Sequence, residues 1–271
     1  MMLTGCSGAT ASISDKDKAI MTIGDTTYTK GDEYDLLKIS TGTDLTMELV
    51  KQSIYKKEVK VTKAMKKKAQ EQIDNYKENM TGFEDQIKSL GYNSTEAYMN
   101  KVLIPSLQAS ELTEKYFTDA KKDIQKTYKP SKARIIQCEN KATAKKALKA
   151  LKSGTDPEEV AQQYMVDSAK YSGKETLVTT KTTDVSTRLI NKLAKTKKAG
   201  VIDEVFTNES SGNTYAYVAV LVSNTYKDIK DEVYTSLSSD DDITKACLVY
   251  YLKKYNFEVH DHCLLYTSDA A

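Results

Sequence analysis

The chain has 271 residues, with 40 Lys+Arg against 38 Asp+Glu and a formal net charge of +2. Charged residues are 29% and hydrophobic ones 39%, and the lysines are interspersed with acids, so charge alone makes no case for nucleic acid. No apolar run reaches the roughly 18 residues that would span a bilayer, and the length suits one or two domains with a proper core.

Four cysteines do not make a framework. Cys6 and Cys263 sit in terminal segments, while Cys138 and Cys247 stand far apart, either as buried thiols or as a disulfide. There is no CxxC pair, and His260 and His262 both lie at the extreme end, so the sequence calls for no metal and no cofactor.

In residues 1–18, Leu3-Thr4-Gly5-Cys6 resembles a lipobox, an apolar residue and two small ones before a lipidated cysteine. A Ser/Thr/Ala/Asp tether follows, and the expected species is a lipoprotein anchored through Cys6, stably so if two or more acyl chains are attached. Ala19 to Thr29 reads as a β-hairpin with Gly24-Asp25 as its turn. Thr29 or Gly31-Asp32 then starts a short helix through Tyr34, Leu36 and Leu37. A separate helix over 45–59 is expected to turn Leu45, Leu49 and the Met47/Val50/Ile54 row inward.

Thr62 to Asn79 is a further helix, with Ala69, Ile73, Tyr76 and Met80 on one side and Lys66-Lys67-Lys68 on the other. That basic cluster is a solvated face or, beside a lipid anchor, a membrane-facing one. Phe83 to Leu90 is a short helix ended by Gly91. Asn93-Ser94-Thr95-Glu96 caps a long helix to Tyr116, which Pro105 should kink because it removes a backbone donor. Its stripe of Leu103, Leu107, Leu112 and Tyr116 is core or the lining of a cleft.

Asp119 to Tyr128 is a polar helical linker and Lys129-Pro130-Ser131 a boundary. Ala133 to Cys138 and Tyr215 to Val222 are short, β-branched or aromatic runs that read as strands. Between them, Lys141–Lys152 is a helix stopped at Ser153-Gly154, and Asp156-Pro157-Glu158-Glu159 opens another, with Asp156 as cap and Glu159 completing a capping box. Helix resumes from Asn224 to Ser238. Asp240-Asp241-Asp242 caps a last helix, Ile243 to Lys254, the acids being suited to its N-terminal dipole and lacking the spacing of a calcium loop. Phe257-Glu258-Val259 reads as a final strand.

The order Ala133-Arg134-Ile135-Ile136, two helices, Tyr164 to Lys170 with Gly173, then Phe206 with Tyr215 to Val220 resembles a parvulin-type peptidyl-prolyl isomerase domain. With its flanks, the chain resembles an extracytoplasmic foldase lipoprotein of the PrsA/SurA type over nearly everything from Cys6 to His262. The resemblance implies an α+β fold. A discontinuous, mostly helical chaperone domain (residues 19–128 plus 224–262) would carry an inserted β-α-α-α-β parvulin-like domain (132–222). Residues 263–271 resemble translated library adapter and are set outside the fold.

The resemblance also implies which positions should carry chemistry. Prolyl isomerisation needs a pocket that favours the twisted amide over a barrier of ~18–20 kcal/mol. The family's two histidine positions fall on Ile135 and Ala216, its Met/Phe proline pocket near Val185 and Leu189, and its acidic position near Asp167, which is equally a turn aspartate. The family's Gly-rich aromatic segment is replaced by Thr-rich sequence between Lys174 and Thr187.

The implied function is a membrane-anchored chaperone for unfolded or partly folded secreted polypeptides, with a weak or lost isomerase site. It would act on the outer side of the cell membrane, with no nucleic-acid partner and with a homodimer left open. The alternatives are an isomerase using other residues and a lipoprotein binding or assembly module.

Overall fold

The computed structural model describes residues 13–210 and 213–261. Cys6, His262 and the 263–271 segment lie outside the described residues. The chain divides into two compact units, one formed by residues up to 112 with those from 245 onward, the other by residues 113–244. The second unit thus takes in more than the 132–222 segment, adding the residues that flank it on both sides.

The first unit opens with β1 (Ala19–Ile23) and β2 (Thr26–Thr29), an antiparallel hairpin whose turn places Gly24 at φ +59°. Thr29 then caps α1 (Lys30–Glu58) through a reciprocal capping box with Asp32. The two helices expected here are one. Between them Ser40, Thr41, Thr43 and Asp44 are weak helix formers and Gly42 is the weakest, at a cost of about 1 kcal/mol relative to alanine. The Thr41 hydroxyl donates back to the Leu37 carbonyl at 3.1 Å, which satisfies it inside the helix while sharing a ladder acceptor.

The expected inward row is also only partly inward. Ile54 is buried at 4%, whereas Leu45 and Leu49 are 55% and 67% exposed.

Thr62 caps α2 (Lys63–Asn79), which buries Met65, Ala69 and Ile73 and leaves Met80 exposed, contrary to the expected stripe. After α3 (Phe83–Ser89), Ser94 caps α4 (Thr95–Tyr98). The helix next widens into a π turn over Met99–Leu103, where the Ile104 amide donates to the Met99 carbonyl five residues back, and continues as α5 (Ile104–Asp119). The irregularity expected from Pro105 takes the form of an expanded turn just before it. Ala69, Ile73, Phe83, Ile87, Leu103 and Ile104 make the core here. Leu103, Leu112 and Tyr116 are buried, so that stripe is mainly core.

In the second unit, α6 (Lys121–Tyr128) ends on Lys129 in the left-handed region (φ +48°) and leads into β3 (Ser131–Cys138). Asn140 caps α7 (Lys141–Lys152) and Asp156 caps α8 (Pro157–Tyr164), accepting from the Glu158 amide. β4 (Ser172–Val178), not anticipated from the sequence, pairs with β3. Ser186 caps α9 (Thr187–Lys195), and β5 (Gly200–Val201), β6 (Phe206–Ser210) and β7 (Asn213–Ser223) follow. β6 and β7 form a hairpin, where one strand was expected. The sheet order is β4-β3-β7-β5 with β6 also on β7, and every pairing is antiparallel.

The chain closes with α10 (Tyr226–Leu237) and α11 (Asp241–Lys254), at whose start Asp240 accepts from the Asp242 amide. The strand expected at Phe257 to Val259 does not form: Asn256 turns into the left-handed region at φ +48°, the Phe257 amide closes back on the Leu252 carbonyl, and residues 257–261 pair with no strand. The fold is α+β.

Candidate functional site

Strand alternation assigns the candidate residues to faces of the five-stranded sheet. Directly paired residues share a face, and Ile135 pairs with Ala219 while Cys138 pairs with Ala216. Ile135 therefore looks out on one side, among Val185, Leu189, Leu193, Phe206 and Tyr217. Ala216 looks out on the other, beneath α7 and α8, with Ile136, Cys138, Ala144 and Val160. Those two positions do not meet in one site. Tyr217, one residue on, shares the face of Ile135 with Ala219 and Leu221.

Three candidates do come together there. Ile135, Val185 and Leu189 are each at most 3% exposed and belong to one apolar cluster covered by α9. Asp167 is not among them. It is exposed in the turn that the Ala169 amide closes on the Val166 carbonyl.

A polar group at the edge of this cluster is Asp184, which no local sequence signal marks. The Tyr171 hydroxyl donates to Asp184 Oδ1 at 2.6 Å, and Lys170 forms an ion pair with Oδ2. Burial works to raise the Asp184 pKa, but the bonds from Lys170 and Tyr171 outweigh it and hold the carboxyl below its ordinary value. Burial, then the bond to Asp184, pushes the Tyr171 hydroxyl well up. Burial, then the negative charge of Asp184, pushes Tyr217 up to about 12. The rings of Tyr171 and Tyr217 meet edge to face at 6.3 Å. Tyr215 and Tyr217, two positions apart, mark one side of β7, but nothing local ties Tyr171 to a carboxylate thirteen residues on.

Gly173 positions this edge. A Cβ there would stand 2.3 Å from the Pro157 carbonyl oxygen, and φ is +78°, so β4 approaches the start of α8 as only glycine allows. On the opposite face Cys138 is a buried thiol raised to about 11 by that burial, and neither it nor Cys247 is in a disulfide.

The first unit offers a second kind of surface. On α1, Leu36, Leu37, Ile39, Leu45 and Leu49 are 58, 47, 51, 55 and 67% exposed. Beside Leu49 lies a cavity of about 270 Å³, lined by Val50, Ile54, Tyr251, Leu252, Tyr255 and Phe257. The Tyr255 hydroxyl, bonded to Glu58 Oε1 at 2.7 Å, and Lys57, 4.3 Å from its ring centroid, fix that ring at the wall. Among the described residues no trio of His, Cys, Asp and Glu could hold a metal, and no helix is long and apolar enough to cross a membrane.

No protein-family model matches the chain, and no curated protein matches it. Solved structures do. Peptidylprolyl isomerase PrsA from Bacillus cereus aligns with a TM-score of 0.51 at 19% identity, over 92% of this chain and 96% of that one. PrsA from Bacillus subtilis gives 0.40 at 19% over 92% and 97%, and foldase protein PrsA from Streptococcus pneumoniae 0.41 at 18% over 91% and 97%. The Bacillus cereus likeness is one of fold, and the fold of this chain is that of a PrsA foldase.

Proposed function

We propose that the protein is an extracytoplasmic foldase of the PrsA type that holds unfolded or partly folded secreted polypeptides and has little isomerase activity. It is tethered to the membrane through lipidated Cys6. Its parvulin-like segment, 132–222, is inserted into a discontinuous helical domain, 19–128 plus 224–262.

One contrast carries this reading. The sheet face where a proline would have to bind is filled by Ile135, Val185, Leu189 and their neighbours at full burial, while α1 leaves five large apolar side chains in solvent. Uncovered apolar surface of this kind binds other chains. A proline-binding pocket, by contrast, needs unfilled space and groups that favour the twisted amide. Asp184, the polar group at that edge, is already engaged by Tyr171 and Lys170.

Two assays on the full chain test it. Uncatalysed Xaa-Pro isomerisation takes ~10–100 s at 25 °C, so a protease-coupled peptide assay resolves modest acceleration. The expected result is no acceleration, together with suppressed aggregation of a denatured client. Isomerase turnover that Asp184→Asn abolishes would replace this reading with that of an isomerase using non-standard residues. Absence of both activities would favour a binding or assembly module. For the tether, Cys6→Ala behind a complete signal peptide should release the protein from the membrane fraction.

A further inference from the structure

A second cavity of the first unit, about 450 Å³, lies where α1, α2 and the π turn meet, apart from the exposed leucines of α1. Its rim carries Lys56 from α1, Lys66 from α2 and Lys101 from the π turn. No acidic side chain lines it among the described residues, and none of these three lysines has a carboxylate partner there. This sets them apart from Lys67, which pairs with Glu71 on the same helix, and Lys77, which pairs with Glu84. Three like charges converging on one concavity repel one another and are relieved by a bound anion.

The rest of the lining narrows the class of anion. Gln52, Asn100 and Gln108 supply amides. Two of these spend one amide hydrogen elsewhere, Gln52 on Glu48 Oε1 at 3.0 Å and Gln108 on the Val59 carbonyl at 2.7 Å, which leaves each a carbonyl oxygen and a second N–H to offer. Such acceptors suit hydroxyl groups. Val61, Ile104 and Pro105 give the cavity an apolar side that suits carbon–hydrogen surface. The expanded turn over Met99–Leu103, forced by the missing amide of Pro105, brings Asn100 and Lys101 to the wall, and such turns recur at functional sites. The volume lies within the ~300–1,000 Å³ of small-molecule sites.

We infer that this cavity binds a phosphorylated small polyol: lysines on the phosphate as point charges, amide carbonyls on the hydroxyls. The same chemistry is presented by the head group of an anionic phospholipid and by a free polyol phosphate. The test titrates the full chain with soluble glycerol phosphate, and separately with phosphatidylcholine vesicles with and without phosphatidylglycerol.

Binding of soluble glycerol phosphate assigns the site to the free ester. Binding only to vesicles that contain phosphatidylglycerol assigns it to a head group. In either case the triple variant Lys56→Gln/Lys66→Gln/Lys101→Gln should weaken binding at least about tenfold. The control Lys63→Gln/Lys67→Gln/Lys68→Gln, which removes equal charge outside the cavity, should leave it nearly unchanged. All six side chains are exposed, so both variants should melt like the parent. Failure of both ligands to bind overturns the inference, and so does equal weakening by the two triples, which would reduce the effect to general surface charge.

Discussion

The sheet of the second unit and the long helix of the first treat apolar side chains in opposite ways. Both faces of the sheet are covered: Ile135, Leu189 and Tyr217 fill one cluster, and Ile136, Ala216 and Val218 another. On α1, Leu36, Leu37, Ile39, Leu45 and Leu49 stay half or more in solvent, or nearly so. A leucine contributes dispersion and desolvation only where something packs on it. The difference teaches that the segment resembling a catalytic domain uses its hydrophobic residues for its own stability. The helical segment keeps some of its residues uncommitted, at no gain to its stability.

The comparison is broken most directly by truncating Leu189. Leu189→Ala leaves a cavity in a core where the parent residue is fully buried, and should cost about 2–5 kcal/mol. Urea unfolding of the full chain, followed by tyrosine fluorescence, reads the shift. A loss below about 1 kcal/mol would mean that the sheet face is loosely packed, and would reopen it as a pocket. Gly173→Ala should come next, at about 2–3 kcal/mol, since the added Cβ both meets the Pro157 carbonyl and must hold φ at +78°. Wild-type stability in that variant would mean that β4 can retreat from α8.

Asp184 sharpens the comparison, because it asks whether the polar edge of the sheet face is structural. Asp184→Asn should cost about 1.5–3 kcal/mol at neutral pH, the worth of hydrogen bonds to a charged group. Its folded pKa is lowered, so its contribution is complete above the unfolded value of about 4 and is lost as pH falls through the folded value. The parent should therefore lose more stability on acidification than the variant. Tyr217 runs the other way. Its folded pKa is raised to about 12, so its contribution is present below the unfolded value of about 10 and disappears as pH rises through the folded one. Tyr217→Phe should flatten the alkaline limb. Unchanged pH profiles would remove both groups from the account of this edge.

Much of the fold was legible because its signals are local. Thr29, Thr62, Ser94, Asn140 and Asp156 cap helices that a Ser/Thr/Asp/Asn pattern announces, and Gly24 turns a hairpin whose flanks alternate. What was not legible depends on distant partners. β4 mixes Gly173, Lys174 and Glu175 into its sequence and becomes a strand because β3 offers it a ladder, and Phe257 to Val259 has strand composition with no ladder to join. At the candidate site, Val185 and Leu189 could be placed with Ile135, but the face of Ala216 depends on register. A shift of one residue in β7 exchanges Ala216 for Tyr217. Leu45 and Leu49 were expected inward because helical spacing says which residues share a side, not whether anything covers that side.

The exposed leucines give the smallest stability effect and test the comparison from its other side. Leu45 and Leu49 lie four residues apart on α1, hence on one side of it, and are 55% and 67% exposed. Leu45→Ser/Leu49→Ser removes apolar area that folding leaves in water, so the unfolding free energy read from urea titration should change by no more than about 0.5 kcal/mol per site. If this side of the helix holds clients, the same variant should suppress aggregation of a denatured protein markedly less well than the parent, with Leu189→Ala, assayed where it is still folded, as the opposite case. A large stability loss would show that the leucines are covered, by a second copy or by residues outside those described, and sedimentation would separate the two. Full client protection by a stable double variant would move the holding surface off α1, to the cavity beside Tyr251 and Tyr255.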